Sequence, residues 1–132
     1  MTLHEPSAQA DDAAREVVDA AIHVHRRLGP GLLESHYREV LVDELRRRGR
    51  AVEVHKKVPV LVDGRALKKS YQLDLRVDGC LVVEIKALRA LHPHHLAQTR
   101  AYLALTGHEL ALVLNFHAPL MREGIRRVVH TR

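Results

Sequence analysis

Between Tyr71 and Lys86 the chain reads YQLDLRVDGCLVVEIK, and no other stretch restricts the fold as much. Leu73, Leu75 and Val77 alternate with Asp74 and Arg76, and Val83 and Ile85 alternate with Glu84 and Lys86. Alternation of this kind gives each strand one apolar and one polar face. Asp78-Gly79 between the two runs is a hairpin-turn signal. Burial then selects the register. A two-residue turn would set Asp74 against Val83 and Leu73 against Glu84, mixing charged and apolar side chains on one face. Shifting by one residue pairs Val77 with Leu81, Leu75 with Val83 and Leu73 with Ile85. The expected connection is therefore three residues long, or bulged, over Asp78 to Cys80. In that register Asp74 faces Glu84 and Gln72 faces Lys86.

Two carboxylates side by side repel each other when ionised. A hard cation such as Mg2+ relieves the repulsion, and it favours a few carboxylates together with waters and phosphate oxygens. Lys86, two residues beyond Glu84, lies on the same strand face and can orient a water or stabilise charge on a phosphate. The plain alternative is a solvated strand face carrying a Glu-Lys pair, since such triplets are common.

Composition narrows the classes. The chain has 132 residues, enough for one domain with a real core and too few for two. One cysteine, Cys80, excludes an internal disulfide and fits a reducing cytoplasm. No apolar run approaches a membrane span, and the N-terminus lacks the order of a signal peptide. Net charge is +5, with 21 Lys+Arg against 16 Asp+Glu, which is compatible with a polyanionic partner without requiring one. Three Tyr, one Phe and no Trp argue against a protein built on base-stacking platforms. No nucleotide-binding loop motif is present, so no nucleotide cofactor is expected.

Residues 1–10 read as a flexible arm and 11–132 as a single domain. A helix is expected to about Leu28, where Gly29-Pro30-Gly31 stops it; Val17, Ala21, Val24 and Leu28 form its stripe, with Ala14 and Val18 beside it. A second helix runs from about Leu33 to Arg48 with Leu33, Tyr37, Leu41 and Leu45 inward. Glu34 and Tyr37 are neighbours on it. Glu34 either offsets the helix dipole or supplies a third carboxylate to a metal site. The period then becomes two, through Val52, Val54, Val58, Val60 and Val62, with a turn at Asp63-Gly64. Pro93 opens a third helix that ends at Gly107, and Gln98 and Tyr102 share one of its faces. Glu109 to Asn115 reads as a buried strand, and residues near Ile125 to Val129 as a last strand. The connection from the Glu84 strand through this helix to the Leu112 strand has the form of a crossover between parallel strands.

His92, His94 and His95 lie close together but lack zinc-site spacing, so a solvated helix start is expected. Arg46-Arg47-Arg48 either complements the helix dipole or contacts phosphate.

The ordered set of these residues resembles the restriction-endonuclease-like PD-(D/E)xK nuclease superfamily. Asp74 and Glu84-Ile85-Lys86 match its signature, and Gln98 to Tyr102 matches the QxxxY helix motif of its exonuclease branch. LGPGLLESHYREVLVDELRRRG resembles the GxxExxY family, with Gly31, Glu34 and Tyr37 on its naming motif. The segments ALVLNF and GIRRVV look like family segments too. The resemblance implies an α/β fold: a mixed sheet with an antiparallel meander and a helical crossover, flanked by helices. It also implies a metal-dependent nuclease using Mg2+, or Mn2+, on nucleic acid, more readily DNA. Asp74, Glu84 and the Ile85 carbonyl would hold the metal, Lys86 would position water, and Glu34 would be an acidic partner. Gln98, Tyr102 and Tyr37 would support the site or touch substrate. His55 stands where relatives tend to have glutamine. The alternative is a silent nucleic-acid-binding or assembly module that keeps the fold.

Overall fold

A computed structural model describes residues 5–130. The first helix, α1, spans Ala8–Leu28 and α2 spans Glu34–Arg47. The strands are β1 Val52–Val58, β2 Leu61–Val62, β3 Arg65–Ala66, β4 Tyr71–Val77, β5 Leu81–Lys86, β6 Leu110–Asn115 and β7 Ile125–Val129. Helix α3, Pro93–Thr106, joins β5 to β6. The main sheet has the order β1-β4-β5-β6-β7, while β2 and β3 form a small separate hairpin at Asp63-Gly64. β5 and β6 are parallel, and every other neighbouring pair is antiparallel. The meander, the crossover and the last strand are thus all present.

Helix α1 starts earlier than the sequence suggests. Ser7 caps it, its Oγ accepting from the Ala10 N–H at 3.1 Å, and Ala10 is already buried. Residues 8–10 of the expected arm are therefore helical, and residues 1–4 lie outside the described residues. In α2, Tyr37, Leu41 and Leu45 point inward as expected, but Leu33 is the N-cap and is 66% exposed. Helix α3 ends at Gly107, whose φ of 75° is the left-handed conformation that glycine takes without strain.

Helices cover both faces of the sheet. Leu81, Val83 and Ile85 of β5 and Leu110, Leu112 and Leu114 of β6 pack with α1 and α2. Val82, Ala111 and Val113 pack with Leu103 of α3. Burial on both sides explains why β5 and β6 read as near-continuous apolar runs. The β4–β5 register is the shifted one, with Val77 opposite Leu81 and Leu75 opposite Val83, across Asp78 to Cys80.

Beyond Leu75 the expected alternation breaks. Leu75 packs on the α1–α2 side, yet Leu73 packs on the α3 side with Tyr71. The expected pairing of Leu73 with Ile85 on one face is therefore corrected: the two lie in opposite clusters. The edge strand β1 switches sides in step, Val52 packing with the first cluster and Val58 with the second. Its register with β4 keeps the same offset on either side, Val54 opposite Leu75 and Lys56 opposite Leu73, with the pairing interrupted at His55 and Asp74. The switch falls at Asp74 and at the residue facing it, His55, whose φ is 52°. A β-branched residue would be strongly strained there, whereas histidine is among the side chains enriched in that conformation.

Two features brace the fold near the site. Tyr37 is buried; its hydroxyl donates to the Gly29 carbonyl and accepts from the Leu32 N–H, and its ring stacks on Phe116 at 4.5 Å. Tyr37→Phe leaves two backbone groups of that loop without their partner. It should lower stability by about 2 kcal/mol in urea denaturation; a loss under about 0.5 kcal/mol would mean that water replaces the hydroxyl freely. Gly124 precedes β7, and a Cβ there would lie 2.2 Å from the backbone oxygen of Asn115. Gly124→Ala should therefore push β6 and β7 apart and cost about 3 kcal/mol, read the same way.

The arginine run ending α2 is committed within the molecule. Arg46 donates to the Val52 carbonyl, Arg47 pairs with Glu44, and Arg48 holds Glu16, Asp19 and Glu44. The phosphate-contact reading of this run gives way to a brace between α1, α2 and β1.

Candidate active site

The switch in β4 shapes the site. In a regular ladder the Ile85 N–H would bond the carbonyl of Leu73. Instead it donates to Asp74 Oδ2 at 2.8 Å. The Asp74 side chain fills the place where β4 and β5 part. Amide and carbonyl of one strand residue point the same way, so the Ile85 carbonyl is directed at the same gap.

Glu84 stands beside it, only 8% exposed. Burial, and then the charge of Asp74, push its carboxyl up to about 8, with Lys86 offsetting part of the rise. Its Oε1 is buried and has no hydrogen-bond partner among the described residues. A buried acceptor left without a donor is costly, and a cation would satisfy it. The two carboxylates and the Ile85 carbonyl are hard oxygen donors of the kind Mg2+ takes. Among the described residues, no group of three or more His, Cys, Asp or Glu side chains is placed to hold a metal. A cation here would complete its shell with water and phosphate, as Mg2+ commonly does.

Lys86 follows on the same strand, half-buried, its carbonyl accepting from the Phe116 N–H at 2.9 Å. Asn115 fixes the loop beyond: its Oδ1 accepts from the Leu88 N–H and its Nδ2 donates to the Leu88 carbonyl. The His95 ring is held below its usual range, by desolvation first and then by the neighbouring charges of His94 and Lys86. His92 and His94 are exposed and their rings stack, consistent with a solvated helix start.

Tyr71 and Tyr102 close the other side. Their rings stack at 3.7 Å, and with Leu73, Val82 and Thr99 they line a small space against Glu84. Burial, and then the charge of Glu84, raise the Tyr71 hydroxyl to about 12. Gln98, one turn before Tyr102, is exposed. Glu34 is half-buried at the first turn of α2, has no hydrogen bond or ion pair among the described residues, and is not gathered into a ligand group with Asp74 and Glu84. There its charge meets the positive end of the helix dipole. Tyr37 is held in the α1–α2 core by the loop that precedes Glu34.

Two residues escaped the sequence reading. Tyr71 has the parity of Leu75, so period two places it on the wrong face; only the switch at Asp74 brings it to Glu84. Asn115 ends an apolar strand and is buried. A buried amide in that place signals a structural clasp, because it must find partners.

Among the described residues, no helix is long and apolar enough to cross a membrane. No curated protein and no solved structure matches the chain. A family model described as the PD-(D/E)XK nuclease superfamily matches residues 11–128, which takes in α1 from Asp11, all of α2, the strands as far as Val128, and the paired carboxylates. By that match the chain belongs to the PD-(D/E)XK nuclease superfamily.

Proposed function

We propose that this chain is a divalent-metal-dependent nuclease that hydrolyses phosphodiester bonds, acting in the cytoplasm and preferring DNA. The carrying observation is Glu84: a buried carboxylate beside Asp74 with an oxygen that lacks a donor. Asp74, Glu84 and the Ile85 carbonyl would hold Mg2+ or Mn2+, which supplies a Lewis acid for the phosphoryl oxygens and neutralises the paired carboxylates. Asp74 is oriented for this by the Ile85 N–H. Lys86, anchored through its carbonyl, presents an ammonium to the attacking water or to the phosphate charge. Tyr71 and Tyr102 exclude water from the side of Glu84 that faces α3. Gln98 and Tyr102 lie on the face of α3 turned to substrate. The spacing of Gly31, Glu34 and Tyr37 supports placing the chain in the GxxExxY group of the superfamily. A silent descendant has no need to keep an acid, a second acid and a lysine in this order.

The test is cleavage of single- and double-stranded DNA and RNA across a titration of Mg2+ and of Mn2+. Cleavage should depend on the metal and disappear in Lys86→Ala. Metal-independent cleavage, or a fully active Lys86→Ala, would overturn the assignment.

A further inference from the structure

Basic side chains differ in what they already touch. Arg47, Arg48, Arg50, Arg76 and Arg127 all hold carboxylates. Residues 56–69 read KKVPVLVDGRALKK, five Lys and Arg against one Asp, in a chain whose whole net charge is +5. Lys56 pairs with Glu53 at 3.3 Å. Lys57, Arg65, Lys68 and Lys69 are exposed and make no ion pair among the described residues. Four uncompensated cations therefore project from one short segment around the β2–β3 hairpin.

That segment walls an open groove of about 700 Å³. Lys57 and Lys69 supply charge, Val60 and Leu67 supply an apolar wall, and Tyr71 and Tyr102 form the inner end. The same two tyrosines border the space beside Glu84, so the groove abuts the tyrosine pair that closes this side of the candidate active site. Two of the three tyrosines in the chain are concentrated here, despite a composition poor in aromatic residues. Leu67 remains 39% exposed on the groove wall, without a partner to cover it.

We propose that this groove is the track by which a single nucleic-acid strand reaches the site. Lys57 and Lys69 hold its phosphates, and Leu67 with the tyrosine pair receives its unpaired bases. The substrate class rests on the nuclease reading; the strandedness comes from the groove. A duplex hides its base faces and meets a protein first through phosphate, so a surface for it needs cations alone. A single strand presents both charge and apolar base faces, and its binding surfaces combine cations with apolar and aromatic side chains. The groove has both.

The test is fluorescence anisotropy in EDTA, where no cleavage occurs. The probes are labelled oligothymidylate, labelled oligouridylate and a duplex, each about twelve units long, within the range of known single-strand sites. At least one of the two single strands should bind about tenfold or more tighter than the duplex. Lys57→Ala/Lys69→Ala should weaken that binding about tenfold and reduce the salt slope by about 1.4, two phosphate contacts' worth. Arg122→Ala/Arg126→Ala, at the opposite edge of the sheet, removes equal charge and should change binding less than about twofold. Duplex bound as tightly as both single strands, or lysine variants that bind like wild type or like the arginine control, would overturn the proposal. Binding is read without metal, so absent cleavage with intact strand binding would overturn the nuclease reading and leave the groove standing.

Discussion

Glu84→Gln should flatten the fall of stability with pH expected of the metal-free protein between about pH 4.5 and 8. Below the ordinary carboxylate value of 4.5 both folded and unfolded chains carry Glu84 protonated, and its burial costs little. As pH rises the unfolded chain ionises first, while the folded chain keeps the proton until about 8. The unfolded state therefore binds fewer protons across this window, and stability declines with pH. Above the window both states are ionised and the penalty is constant. A shift of this size corresponds to a decline on the order of 5 kcal/mol. Glutamine of the same length does not titrate, so urea midpoints of the variant should stay nearly level while wild type falls. Parallel curves for the two proteins would show that Glu84 is not the buried acid. Because metal takes the ionised carboxylate, Mg2+ binding near pH 7 should also release a proton in wild type.

Asp74 should separate charge from hydrogen bonding. Asp74→Asn keeps an oxygen for the Ile85 N–H but removes the charge beside Glu84. Without metal it should be as stable as wild type or slightly more so. Asp74→Ala leaves the Ile85 N–H without its acceptor and should lose about 2 kcal/mol. Neither variant should gain from Mg2+, whereas wild type at a hundredfold excess over Kd should gain about 2.7 kcal/mol. Thermal melts of the three proteins, each with and without Mg2+, decide the matter. Equal stabilisation of all three would remove these carboxylates from any metal site.

How much of this could be read from the chain depends on how tightly burial restricts each residue. Leu75, Val77, Leu81 and Val83 fix the hairpin register, because any slip by one position places Glu84 in the α1–α2 core. Helix ends at Gly29 and Gly107 were readable from backbone chemistry. Leu73 was not. With helices on both faces of the sheet, an apolar side chain is acceptable on either, so hydrophobic pattern alone does not reveal a strand that changes sides. Tyr71 was missed for the same reason. Leu33 was misplaced because helical spacing marks a stripe without saying where the helix begins. Glu34 lies one turn before the buried Tyr37 on α2 yet is only half-buried, because helical spacing marks a face without saying how far the core extends along it.

The side switch at His55 and Asp74 also bears on strand pairing at the edge of the sheet. The strand β1 is an open edge of the sheet, and a straight, regular edge is a template on which a second chain can add a strand. The left-handed backbone at His55 interrupts that template midway, and Lys56 and Lys57 follow it with charge. On the opposite edge β7 carries Arg126 and Arg127, both exposed. The irregularity that delivers Asp74 to Glu84 thus also makes the longer edge a poor template for intermolecular strand pairing, so that edge protection and the placement of the acids fall to the same pair of residues.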